Sequence, residues 1–205
     1  ISNEVFIDSA TLRENVVALA RNIGYVPRSR KASRTTVNFF VDVSSVSPTP
    51  ANLTLKAGPV ASTGGSFNNQ SFVFGIPEDI TVSVVDGIAS FDEIEIFEGS
   101  YLTQSYVYST RNQFQKFILP NVGIDLDSLV VSVRPSVDSS VSTKYSRQDE
   151  LFDTTTKTVI NGNSNIYFIQ EVEGEQYEVI FGDGVFGKAL EDGNIVEMSY
   201  IISSG

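Results

Sequence analysis

Residues 177–205 read YEVIFGDGVFGKALEDGNIVEMSYIISSG, and this closing stretch decides how the rest of the chain is read. Tyr177, Val179 and Phe181 alternate with Glu178 and Ile180, the period-2 pattern of a half-buried strand. Gly182-Asp183-Gly184 stops that strand, because glycine reaches positive φ without a Cβ clash, and Asp192-Gly193 makes a second stop. Ile195 to Ile202, rich in Ile, Val, Met and Tyr, then predicts a returning strand with Val196, Met198, Tyr200 and Ile202 on one face. Gly182, Asp183, Gly184 and Gly187 are the structural turn residues of this arrangement. If Gly184 has positive φ, a valine there should be strained.

Gly182-x-Gly184-x-x-Gly187 also matches, letter for letter, a dinucleotide-binding fingerprint. The context rejects it. Such a loop must open a helix whose N-terminus holds the pyrophosphate, with an acidic residue about 20 positions further on. Only Lys188 to Glu191 separate Gly187 from the next turn.

Working outward, composition removes most chemistry. The 205 residues carry a net charge of −11, which argues against nonspecific nucleic-acid binding, since that relies on Lys and Arg neutralising phosphates. There is no Cys and no His, so no thiol nucleophile, Ser-His-Asp triad, histidine base or His-containing zinc site can be assembled from this chain alone. No apolar run is long enough to span a bilayer as a helix, and neither membrane nor nucleic acid is expected as a partner. No cofactor or metal is expected. The chain opens at Ile1, and we expect an excised or processed piece of a longer protein.

At the N-terminal end, Thr11-Leu12-Arg13-Glu14 has the form of a capping box, and Leu12, Val16, Leu19, Ala20 and Ile23 fall on one helical face. Gly24 and Pro27 end that predicted helix. Arg28-Ser29-Arg30-Lys31-Ala32-Ser33-Arg34 follows, a basic run in an acidic protein. Arg28, Arg30, Lys31 and Arg34 read either as a solvated connection or as an interface for an acidic face of a neighbouring copy, because opposite charges steer docking and fix register.

From Thr35 the pattern is β. Val37, Phe39, Val41 and Val43 alternate with polar or outward positions, predicting a strand packed on the helix. Pro48 and Pro50 mark a linker into a middle region of short strands. There Asp86-Gly87 is the clearest hairpin, since its turn needs residues that tolerate positive φ. The expected fold class is α+β, mainly β: an N-terminal helix packed on an antiparallel sheet, with a β-sandwich or barrel-like middle domain. The expected division is a discontinuous α+β domain of residues 1–47 and 136–205, with a β-rich domain, 48–135, inserted.

Both ends of the chain resemble one family. Phe181-Gly182-Asp183-Gly184, Phe186-Gly187, Gly193 and Ile195 to Tyr200 resemble the C-terminal signature of the baseplate J-like family, to which the baseplate wedge proteins of T-even-type contractile phages belong. Ser2-Asn3-Glu4, Ala10 to Val16, Leu19-Ala20 and Gly24-Tyr25-Val26-Pro27-Arg28-Ser29-Arg30 look like the helix and turn that open the conserved part of those proteins. The resemblance implies a non-enzymatic structural protein of the virion. It would be assembled in the host cytoplasm, associate with itself, and contact other wedge and hub proteins in the ring around the tail hub.

The competing expectation is a tail-associated glycan-binding or depolymerase β module. It would use Asp92, Glu93, Glu95 and Glu98 with Tyr101, Tyr106 and Tyr108, since paired carboxylates hydrolyse glycosidic bonds when about 5 to 9 Å apart. Solvated strand positions explain the same carboxylates. Asn161-x-Asn163-x-Asn165 lacks the Gly and Glu of a calcium loop, and Asp125-x-Asp127 offers too few oxygens to hold a metal.

Overall fold

The computed structural model describes Val16 and residues 29–64, 71–112, 114–148 and 160–203. Among these the chain is nearly all β, with thirteen strands and one 3-10 turn, Glu173–Glu175. The described residues fall into two compact units, one of those within 29–103, 123–130 and 199–203, the other of those within 104–122 and 131–198. Three strands, β7 (Ser100–Val107), β9 (Ile124–Arg134) and β13 (Ile195–Ile202), contribute residues to both.

In the unit that holds residues 29–103, β6 (Ile88–Glu98) is the organising strand. It pairs antiparallel with β1 (Arg34–Asp42) along its length, and with β5 (Ile80–Val85) and β4 (Val73–Ile76) near its two ends. β2 (Asn52–Leu55) extends the sheet from β5, and β3 (Gly58–Ser62) extends it from β4. The Asp86-Gly87 hairpin forms as its sequence predicts, with φ of 51° and 79°. Halfway along β6 the register against β1 shifts between Val37 and Phe39, opposite Asp92 and Glu93, and Glu93 takes φ of 54°. The extra residue lies in β6, so β6 bends while β1 stays regular. Ile76, Ala89, Phe91, Ile94 and Ile96 form the buried core beneath, with Leu53, Val60, Phe74 and Val82 packed against it.

The other unit carries β8 (Phe117–Leu119), β10 (Thr143–Arg147), β11 (Ile166–Val172) and β12 (Gln176–Phe181). They belong to a seven-stranded sheet ordered β7-β13-β9-β10-β11-β12-β8, which is nearly closed like a barrel. Its terminal strands meet through side chains: the Tyr106 hydroxyl donates to the Ile118 carbonyl at 2.6 Å, and the Tyr106 and Phe117 rings meet edge to face at 5.7 Å. Tyr177 and Val179 are buried, following the alternation in the sequence. β13 is buried on both faces, Ile195 and Ile201 as well as Val196, Met198 and Tyr200. That goes beyond the one apolar face its pattern predicts.

The expected α+β class is corrected by this architecture. No α-helix packs on a sheet among the described residues; of the helix predicted from Thr11 only Val16 is among them, in helical conformation, and the rest lies outside. β1 finds its apolar partner in another strand, with Phe39 stacked on Phe91 at 4.9 Å. Nor is the barrel-like sheet a middle domain: it joins β7, β8 and β9 to the four C-terminal strands. Nor is the sheet purely antiparallel, since β10 and β11 run parallel, Ser146 opposite Ile166. Pairings of such long sequence separation leave no trace in local alternation.

Candidate functional site

The closing loop, 182–194, is built by the backbone. β12 ends at Phe181, and a Cβ on Gly182 would lie 2.2 Å from the Gly187 carbonyl carbon, so two glycine backbones touch where no other residue fits. Asp183 Oδ1 accepts from the N–H groups of Val185 (2.8 Å) and Phe186 (2.9 Å), and Gly184 N–H donates to the Gly187 carbonyl at 3.0 Å. Those donors hold the Asp183 carboxyl below its ordinary range, the Phe186 N–H having the largest effect. Gly184 and Gly187 have φ of 89° and 86°. No helix follows, which is the geometry expected once the nucleotide fingerprint is set aside.

The loop is locked from outside as well. Gly187 N–H donates to the Asn161 carbonyl (3.1 Å) and Lys188 N–H to the Ser164 carbonyl (2.8 Å). Gly162 approaches so closely that its Cβ would sit 2.0 Å from the Gly184 oxygen. The sequence signal for this contact is the Asn161-Gly162 turn, which alone does not name its partner. The second stop, Asp192, accepts from the Thr110 N–H at 2.8 Å and its hydroxyl at 3.1 Å.

Beside the loop lies a cleft of about 370 Å³, lined by Tyr108, Gln115, Phe117, the residues 178–183, Ala189 and Leu190. Gln115 and Glu178 in its lining are already engaged. Gln115 accepts from Ser109 N–H and donates to the Val107 carbonyl, and Lys116 pairs with Glu178 at 3.6 Å. Phe117 and Phe181 meet edge to face at 5.3 Å, and Tyr145 meets Phe181 at 5.5 Å.

The basic run is placed against the start of β9. Arg28 lies outside the described residues, and Arg30 is engaged within the chain. Lys31 pairs with Asp127 at 3.3 Å. Arg34 reaches Asp127 at 3.0 Å, Glu95 at 3.6 Å and Asp125 at 3.8 Å, with its guanidinium 5.2 Å over the Phe97 ring. The hydrogen bond from Arg34 holds the Asp127 carboxyl below its ordinary range, and the same bond raises Arg34. Asp125 is fully buried and accepts from the Ala32 and Asp127 N–H groups, both at 2.9 Å. The Asp125-x-Asp127 pair thus does hold cations, and they are this chain's own Arg34 and Lys31. Sequence reasoning missed that pairing.

Two of the acidic side chains of β6, Glu95 and Glu98, are likewise engaged. Glu95 faces Arg34, Glu98 accepts from the Ser203 hydroxyl at 2.8 Å, and Glu93 N–H donates to the Asn38 side chain at the bulge. Tyr101 donates to the Ser199 hydroxyl at 3.2 Å. Among the described residues no three His, Cys, Asp or Glu converge to hold a metal ion. No protein-family model matches the chain, and neither does any curated protein.

Proposed function

We propose that this chain is a structural component of the baseplate wedge of a contractile phage tail, without enzymatic activity. In this reading it associates with itself and with neighbouring wedge and hub proteins in the virion. The observation that carries the proposal is the closing motif. Phe181-Gly182-Asp183-Gly184 and Phe186-Gly187, the residues that resemble the baseplate J-like signature, also form a tightly held loop, with Gly182 against the Gly187 backbone and the Asp183 carboxylate on the N–H groups of Val185 and Phe186. Such a loop serves rigidity, because its aspartate Oδ1 accepts from two N–H groups of its own backbone. An assembly part that transmits force through a ring needs rigid β structure, and the resemblance at the N-terminal end points the same way.

The test is direct. Mass spectrometry of purified contractile tails, combined with gold-labelled antibody against this chain, should find it at a fixed stoichiometry at the baseplate. Its absence from such tails, with binding or cleavage on a polysaccharide panel that Glu93→Gln and Glu95→Gln abolish, would replace this reading by the glycan module.

A further inference from the structure

β1 has two edges, and only one is used among the described residues. Its inner edge pairs with β6 from Arg34 opposite Phe97 to Asp42 opposite Ile88. No described strand pairs with the other edge. Eight of its nine residues are exposed, Phe40 at 69%, which is unusual for a strand beside a core strand. Residues 35–41, TTVNFFV, contain no charge, no proline and no glycine. An open edge of that composition is a template for another strand, and it lacks the charges and prolines that ordinarily blunt one. The bulge that would twist such an edge away lies in β6 instead, so β1 presents a regular row of backbone groups.

Charge selects the occupant. In a protein of net charge −11, this neutral stretch is bounded by Arg34 at one end and Asp42 at the other. A second copy laid parallel and in register would set Asp42 against Asp42 and Arg34 against Arg34, which is repulsive at both ends. Laid antiparallel about Asn38, it sets Arg34 opposite Asp42 twice, Val37 opposite Phe39, and Thr36 opposite Phe40. Arg34 keeps 34% of its side chain exposed while paired with Asp127, Glu95 and Asp125, and the hydrogen bonds from Ser44 hold the Asp42 carboxyl below its ordinary range. Both ends are therefore charged and reachable.

We infer that the outer edge of β1 is the surface through which two copies of this chain pair, antiparallel about a two-fold axis at Asn38. The contact is isologous, and each copy adds its sheet to the other's. It names a surface for the self-association proposed above and rests on that reading for its biological setting, while its chemistry stands on β1.

Sedimentation velocity of the whole chain over a wide concentration range tests it. A monomer–dimer equilibrium is expected. Phe40→Glu should weaken dimerisation by about tenfold or more, because it sets a carboxylate into a neutral edge of an acidic protein. Adding Thr36→Lys should restore the dimer, since the introduced ammonium of one copy meets the introduced carboxylate of the other only in this register. Within one chain the two positions are four strand residues apart, about 13 Å, and do not meet. Both positions are exposed, and unchanged circular dichroism and melting verify that each variant is folded. A monomer at all concentrations, or a dimer that Phe40→Glu leaves intact, overturns the inference. Failure of Thr36→Lys to rescue overturns the register. Presence of the chain in purified tails is read separately, so either proposal can fail alone.

Discussion

Two aspartates show how differently one side chain can organise backbone. Asp183 is an exposed residue in the loop after β12, and its Oδ1 accepts from N–H groups two and three residues further on. Asp125 is buried in the other unit, and its Oδ2 accepts from Ala32, 93 residues away in sequence. Asp183 shapes a turn that its flanking glycines already permit. Asp125 fixes where the segment before β1 lies against β9, and around it gather Lys31, Arg34 and Asp127. Local devices set the conformation of a loop, whereas distant ones set topology, and the energy at stake follows burial more than hydrogen-bond count.

The largest expected effect is therefore at Asp125. Asp125→Ala leaves the Ala32 and Asp127 N–H groups without that acceptor, one of them buried, and should cost about 3 kcal/mol. In a chain of this size that corresponds to about 6–12 °C in Tm by calorimetry. Asp125→Asn keeps an acceptor and should lose less. A Tm within about 2 °C of the parent for the alanine variant would remove the distinction between the two aspartates.

Next comes the closing loop, where backbone contact rather than the aspartate dominates. Gly182→Ala drives a Cβ to 2.2 Å from the Gly187 carbonyl carbon, which the backbone must yield to, at about 2 kcal/mol. Gly184 separates conformation from contact. Its Cβ would meet nothing nearer than Ala189 at 3.9 Å, but its φ is 89°. Gly184→Val should destabilise by over about 1 kcal/mol through strain alone, and Gly184→Asn by less, because asparagine tolerates the left-handed region. Equal melting of the valine and asparagine variants would show that strain is not the cause.

What the sequence reveals divides along the same line. The turns at Asp86-Gly87 and Gly182-Asp183-Gly184 are legible because glycine and aspartate constrain conformation within three or four residues. The alternation of β12 is legible for the same reason. Nothing near Asp125 announces Ala32, and an Asp-x-Asp pair looks the same whether solvated or bonded to Arg34. The insertion of β13 between β7 and β9, and the parallel pairing of β10 with β11, are equally silent in local pattern. The expected fold class departs from the observed one for that reason. A strand pattern at Val37 to Val43 states that one face wants apolar cover, and cannot say whether a helix or another strand supplies it.

The smallest expected effect, and the sharpest test of the comparison, is in acid. The Asp127 carboxyl is lowered chiefly by the Arg34 hydrogen bond, and Asp183 chiefly by the Phe186 N–H. A carboxyl lowered in the folded state binds protons more weakly there than in the unfolded chain. Its stabilisation is thus present in full above the unfolded value of about 3.9 and is lost as pH falls through the folded value. Asp127→Asn and Asp183→Asn should each flatten the acid limb of a stability-against-pH curve below about pH 4, with little change in its slope near neutrality. Salt then tells them apart. Asp127 is partly exposed and owes its shift to cations, so at 1 M salt, where the screening length is about 3 Å, its contribution should shrink. Asp183 is held by neutral N–H groups at contact distance, which salt screens little. Denaturant melts of the two variants from pH 2 to 6, at low and high salt, measure this. An Asp183→Asn difference that salt erases would mean that charge, rather than turn geometry, gives that aspartate its role.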